Sequence, residues 1–206
     1  MNSSDKKHWD NIYNTKSEDE VSWFQPYPKT SMEFVELFSL PLDANIIDVG
    51  GGDSHFVDAL LEKGYRNIHV LDISMTAIEK AKQRLGVKAS KVNWIVSDVT
   101  EFKPKVRFDL WHDRAAFHFL TTAEKMYKYV SIAEDAIRKG GYLVLGTFSK
   151  NGPEKCSGLE IKQYSEASMS ARFEISFQRI KCVHEDHKTP FDTIQNFLFC
   201  SFQKKH

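Results

Sequence analysis

Three carboxylates and a glycine turn in the first half of the chain have the residue types and spacing for chemistry. The stretch IIDVGGGDSHF, residues 46–56, runs from β-branched residues through Asp48 into Gly50, Gly51 and Gly52. One glycine is enough to turn a chain. Three of them after a carboxylate suggest that a ligand approaches the main chain closely, because no Cβ stands in its way. Asp72 lies 22 residues beyond Gly50, the spacing at which a carboxylate ending a second strand can accept both hydroxyls of a ribose. A dinucleotide pattern G-x-G-x-x-G is broken, since counting from Gly50 reaches Gly52 and then His55. No Lys-Ser/Thr pair follows, so a P-loop also fails. Asp48 then separates the remaining ligands by charge: beside a pyrophosphate it repels, beside an ammonium it attracts. The turn suits a positively charged nucleoside, and S-adenosylmethionine, with its ammonium and sulfonium, is one.

Such a turn needs a sheet to hold it. NIIDVG (45–50), NIHVLDIS (67–74), VNWIVSD (92–98), FDLWHD (108–113) and YLVLGTFS (142–149) read as strands. Between them, 55–64 and 74–86 have helical spacing, with Ser74 as N-cap and Gly64 and Gly86 as stops. A longer helix is expected over 122–141, opened by Thr121 and Glu124 and closed at Gly140. Alternation of this kind predicts a parallel sheet covered by helices. Two later strand-like segments, 172–185 and 193–202, are joined too closely for a parallel crossover and must be antiparallel. Ligands in these sheets bind beyond the carboxyl ends of the strands, where strand order reverses.

DVGGGDS resembles motif I of class I S-adenosylmethionine-dependent methyltransferases, with Ser54 in place of the last glycine. VLDIS resembles the acidic motif that follows it, SDVT the adenine-binding motif, FDLWHDRAAFHFLT the fourth-strand region, and IRKGGYLVLGTF the entry to the fifth strand. HWDNIYNTKSEDEVSWFQPYP is similar to an N-terminal segment of methyltransferase-like proteins. The whole chain looks most like small bacterial members related to the citrate synthase-lysine methyltransferase group. The resemblance implies an α/β fold, a Rossmann-like, mostly parallel seven-stranded sheet with helices on both faces and a C-terminal antiparallel hairpin. It implies one domain over 1–206: an aromatic cover at 1–40, a cofactor-binding core at 41–150, and C-terminal strands with acceptor-side loops at 151–206. S-adenosylmethionine is the implied cofactor, held by Asp48, Gly50, Gly51, Gly52 and Ile73, with Asp72 at the ribose and Asp98 and Val99 at the adenine. Tyr13 and Trp23, with Trp9 and Phe24, read as a lid, since aromatic faces attract a sulfonium; simple cover for the sheet edge is the other reading.

Residues 111–119, WHDRAAFHF, are the richest in groups for the transfer itself. His112 and Asp113 alternate faces on a strand, so one of them faces the crevice. Asp113, beside Arg114, and His118 are the expected catalytic pair, able to take a proton from an amine acceptor. Glu185 and His187 stand behind them. HEDH (184–187) lacks the i, i+4 helical spacing of a zincin and reads as a hairpin loop rather than a metal site. The acceptor, a protein lysine or a small molecule, is left open. So are two rivals: a nicotinamide-dependent oxidoreductase, and a methyltransferase-like module that binds without transfer.

Composition sets the remaining bounds. Lysine plus arginine equals aspartate plus glutamate at 28 each, giving no net charge. That argues against a nucleic acid partner or an anionic membrane surface. Cys156, Cys182 and Cys200 are odd in number and lack CxxC spacing, so a reduced, cytoplasmic protein without a disulfide is expected, with Cys182 and Cys200 packed in strands and Cys156 more exposed. No apolar run is long enough for a membrane span or a signal segment. Monomer and homodimer are equally open.

Overall fold

A computed structural model describes residues 3–206. In chain order, its elements are helix α1 (Ser3–Thr15), α2 (Lys29–Phe38), strand β1 (Asn45–Val49), α3 (Phe56–Glu62), β2 (Asn67–Asp72), α4 (Met75–Leu85), β3 (Val92–Val96), β4 (Phe108–Arg114), α5 (Ala123–Ala136) and β5 (Ile137–Phe148). A two-residue pair follows, β6 (Lys155–Cys156) and β7 (Leu159–Glu160), then α6 (Glu166–Phe173), β8 (Phe177–Lys188) and β9 (Ile194–Lys204).

Seven strands form one sheet in the order β3-β2-β1-β4-β5-β9-β8. The first five are parallel, while β9 runs antiparallel to both β5 and β8. Strand order reverses between β1 and β4, which places the glycine turn after β1 at the switch point. β1, β4 and the middle of β5 are buried on both faces because helices cover both. One face packs Trp111, Tyr129, Phe173 and Phe202 beneath α5 and α6. The other packs Ile46, Phe56, Leu60 and Phe199 beneath α2 and α3. Each buried aromatic or aliphatic side chain of this size contributes about 2 kcal/mol.

α4 begins as expected. Ser74 caps it, its Oγ accepting from the Ala77 amide at 3.1 Å. The same hydroxyl donates to Asp10 on α1 at 2.7 Å, so this cap also fastens the N-terminal helix. Ser74→Ala is expected to lower stability by about 1–2 kcal/mol, read from urea unfolding.

Five expectations are corrected. The helix over 122–141 ends at Ala136, and Gly140 lies inside β5, not at a helix stop. Gly140 and Gly141 accompany a register shift between β4 and β5 at Phe108/Leu110; a Cβ on Gly141 would stand 2.9 Å from the Ile137 side chain. Thr122, not Thr121, caps α5, accepting from the Lys125 amide. The strand expected from residue 172 starts at Phe177, because 166–173 form the short capped helix α6. Finally, Cys182 and Cys200 are disulfide-bonded. They are direct partners across the β8–β9 ladder, a pairing that register produces and that neither residue number nor spacing reveals. Cys156 is buried instead of exposed. Among the described residues no helix is long and apolar enough to cross a membrane.

Candidate active site

Two cavities open at the carboxyl ends of the strands. The larger, about 290 Å³, is walled by Leu71, Asp72 and Ile73 after β2, by Ser97, Asp98 and Val99 after β3, and by Trp9 of α1. The smaller lies over the glycine turn and is lined by Ser31, Asp48, Gly51, Ser54 and His112. Tyr13, Trp23, Gly50 and Arg114 line both, so the cavities share one junction.

The turn is bent hard against β2. Gly50 and Gly51 donate their amides to the Leu71 carbonyl at 2.7 and 3.2 Å. Gly52 has φ +47°, and a Cβ there would stand 2.6 Å from the Tyr13 hydroxyl. Both facts exclude a larger residue. Beneath Gly51 lies Asp48, whose Oδ2 would be 2.6 Å from an added Cβ.

Asp48 is buried and half satisfied. Its Oδ1 is 2.7 Å from His112 Nδ1, and His112 Nε2 is 2.8 Å from the Ser31 hydroxyl. Its Oδ2 has no partner. Asp48 and His112 are register partners on β1 and β4, and the imidazole stacks on Phe56 with centroids 4.0 Å apart. This chain resembles a serine hydrolase relay only in its residue types. All three side chains are buried, and Ser31 sits in the first turn of α2 without a G-x-S-x-G elbow. What the relay does is fix the carboxylate. His112, which the sequence reading set aside in favour of Asp113, is therefore the strand-end residue that serves the turn. His112→Ala is expected to weaken S-adenosylhomocysteine binding about tenfold and to lower the melting temperature, since a buried carboxylate loses a charge-assisted bond. Calorimetry and a thermal melt check the two effects.

Asp72 ends β2 with Oδ1 accepting from the Ser74 amide at 2.7 Å. Burial pushes its pKa up to about 7, with the Asp48 carboxylate adding to the rise. Asp98 opens a short turn, accepting at Oδ1 from the Thr100 amide and hydroxyl, both at 2.8 Å. The N-terminal aromatics close over these groups. Trp9 meets Trp23 edge to face at 5.8 Å and Phe119 at 5.0 Å, and Tyr13 meets Trp23 at 6.2 Å.

The expected catalytic pair is placed differently. Asp113 is fully buried and lines neither cavity. Its Oδ1 accepts from the amides of Ala116 and Phe117, and its Oδ2 from the Tyr129 hydroxyl at 2.7 Å. It points to the α5 side of the sheet while its neighbours His112 and Arg114 point to the other. His118 is equally buried, with Nδ1 accepting from the Phe148 amide at 3.3 Å, and burial pushes its pKa down to about 3. Both therefore correct the reading that they face the crevice. HEDH belongs to β8 instead of a loop. His184 and Asp186 reach Asn196, whereas Glu185 takes Gln25 at 2.7 Å and His187 the Ser22 carbonyl at 2.8 Å. Among the described residues no group of three or more His, Cys, Asp or Glu is placed to hold a metal.

A family model described as a methyltransferase domain matches residues 42–195. Malonyl-[acyl-carrier protein] O-methyltransferase 2 of Ilyobacter polytropus is 29% identical over 108 residues, taking in 52% of this chain and 40% of that protein. EEF1A lysine methyltransferase 2 of Mus musculus is 24% identical over 159 residues, 68% of this chain and 64% of that one. The chain thus spans less than two thirds of the length of these curated relatives. The crystal structure of the N-methyltransferase NodS from Bradyrhizobium japonicum, in complex with S-adenosylhomocysteine, superposes with a TM-score of 0.70 at 18% identity. That superposition covers 96% of this chain and 100% of NodS, and shows a shared fold.

Proposed function

The chain belongs to the methyltransferase-domain family, and from that premise we propose that it methylates a small molecule received at the junction of its two cavities. S-adenosylmethionine is the cofactor. The site fits it: a buried, unpartnered carboxylate oxygen on Asp48 beside bare main chain suits an ammonium and would repel a phosphate. When bound, S-adenosylmethionine supplies a methyl group on a positively charged sulfur that is a good leaving group.

The chain's own residues hold and dehydrate the reactants. Asp48 and the Gly50–Gly52 turn take the amino-acid end, and Asp72 takes the ribose diol. Asp98 takes the adenine amino group, with Ile73 and Val99 against the ring. Tyr13 and Trp23, standing at the junction, cover the sulfur and keep water away, which matters because water is a competing nucleophile. Asp113 and His118 are tied up elsewhere, so the work is positioning instead of proton removal by either of them. The observation carrying this reading is the free Asp48 oxygen under the turn.

A small molecule is favoured over a protein lysine because the junction between the two cavities is walled by Tyr13, Trp23, Gly50 and Arg114, with Trp9 of α1 beside it. The relatives differ in acceptor: one is named for malonyl-[acyl-carrier protein], another for EEF1A lysine. Radiolabelled S-adenosylmethionine incubated with the chain and a cell extract is expected to label the small-molecule fraction. Label confined to protein would move the assignment to a protein acceptor. Titration with NAD in place of S-adenosylhomocysteine is expected to give no binding.

A further inference from the structure

Arg114 ends β4 at the junction, and its guanidinium is engaged on one side only. Nη1 donates to the Trp23 carbonyl at 2.9 Å, and the group lies over the Phe197 ring, 4.8 Å from its centroid. Nε and Nη2 are buried and have no partner. These two nitrogens form the side-on edge of the group. Their N–H bonds point the same way and match the two oxygens of a carboxylate. Buried charged donors are normally paired, and burial here pushes the pKa of Arg114 down to about 10. Among the residues common to both cavities, Tyr13, Trp23, Gly50 and Arg114, it is the only charged one.

Besides Asp48, whose charge favours that of Arg114 without an ion pair between them in the described residues, three carboxylates are available to such an edge. Glu185 is near enough to favour the charge on Arg114, yet the two form no ion pair in the described residues: its Oε1 accepts from Gln25, and its Oε2 is buried without a partner of its own. The cofactor's own carboxylate is the second. The residues assigned to the cofactor come from the ends of β1, β2 and β3, whereas the guanidinium reaches the opposite way, past β5, onto Phe197 of β9. The third is the acceptor's, which enters by the part of the two cavities that the cofactor leaves free.

We infer that the methyl acceptor carries a carboxylate and that Arg114 binds it through the Nε–Nη2 edge at the junction of the two cavities. The inference rests on the methyl-transfer reading above and names the acceptor class for it. Arg114 acts as a recognition residue, setting which molecules reach the sulfur in the right orientation. The buried side chains around it add no competing cation, since burial depresses His118 to about 3 and also lowers His187.

Two variants of the full chain test this. Arg114→Met removes the donors and keeps the stem; Arg114→Lys keeps the charge but loses the two-nitrogen edge. The small molecules of a cell extract are separated on an anion exchanger at neutral pH before the protein and radiolabelled S-adenosylmethionine are added. The labelled product, from whichever fraction holds the acceptor, is expected to contain a carboxyl group, read by mass spectrometry. Its labelling is expected to fall about 100-fold in Arg114→Met and about tenfold in Arg114→Lys. S-adenosylhomocysteine affinity, measured by calorimetry, should stay within about threefold of wild type in both, which also reports that each variant is folded. An acceptor without a carboxyl group overturns the inference, as does undiminished labelling by Arg114→Met. A tenfold or greater loss of S-adenosylhomocysteine affinity overturns it too, by assigning the edge to the cofactor's carboxylate. A wild-type chain that binds no S-adenosylhomocysteine defeats the methyl-transfer reading itself, an outcome distinct from the other three.

Discussion

Asp72→Ala is expected to weaken S-adenosylhomocysteine binding by about 30- to 100-fold, because two hydroxyl hydrogen bonds to a charged group are together worth about 2–3 kcal/mol. Asp72→Asn retains an oxygen for the Ser74 amide and separates ribose recognition from damage to the start of α4. The pH dependence is a sharper measurement. Burial, reinforced by Asp48, raises Asp72 to about 7, and ribose hydroxyls donate to its ionised form. Affinity therefore rises from pH 6 to pH 8, by about tenfold if this group alone titrates. Stability of the free chain moves the opposite way. A carboxyl whose native pKa lies above its unfolded value of 3.8 favours the native state at low pH, and that contribution is lost as pH rises through about 7. Asp72→Asn is expected to flatten both trends. Equal affinity at pH 6 and pH 8 in the wild type would take Asp72 out of ribose recognition.

The same residue shows what could be read before the structure was known. β1 to β4 each combine a short apolar run with a stop at Gly or Asp, a local signal, and the three carboxylates at or just beyond their ends were found by counting. The turn and its bare main chain were legible for the same reason. Failures came where a non-local contact decides. Ile137–Gly141 has helix-compatible residues in front of two glycines, but pairing with Phe108 on β4 draws it into a strand. Cys182 and Cys200 needed the β8–β9 register. The alternation of His112 and Asp113 was visible in the sequence, yet which of them faces the crevice depends on the hand of the sheet and on what covers each face. Phe56 and Ser31 stand on the side of His112, and Tyr129 on the side of Asp113. Arg114 was noticed only as a companion to Asp113. Its free edge depends on where Trp23, Phe197 and Glu185 fall, and these lie 70 or more positions away in the sequence.

Asp113→Ala is expected to lower stability by about 3–5 kcal/mol, a large share of the 5–15 kcal/mol typical of a domain. The carboxylate satisfies two backbone amides, of Ala116 and Phe117, as the chain leaves β4, and also the Tyr129 hydroxyl. Tyr129 still accepts from Trp111 Nε1 at 2.9 Å, so the deletion leaves two backbone amides and the Tyr129 O–H without an acceptor. Asp113→Asn keeps an oxygen for the two amides but presents an N–H₂ group to a hydroxyl that must then accept a second bond. Its expected loss is smaller, about 1–2 kcal/mol. Urea unfolding measures both. Burial raises Asp113 to about 6, so its pH-linked stability is present below 3.8 and lost as pH rises through 6, a slope that Asp113→Asn is expected to remove. A structural role and a catalytic one separate cleanly in the asparagine variant. Folded Asp113→Asn is expected to bind S-adenosylhomocysteine and transfer methyl groups at nearly the wild-type rate, because its side chain never reaches either cavity. A folded variant that binds normally yet has lost transfer would restore Asp113 as the group that takes the acceptor's proton.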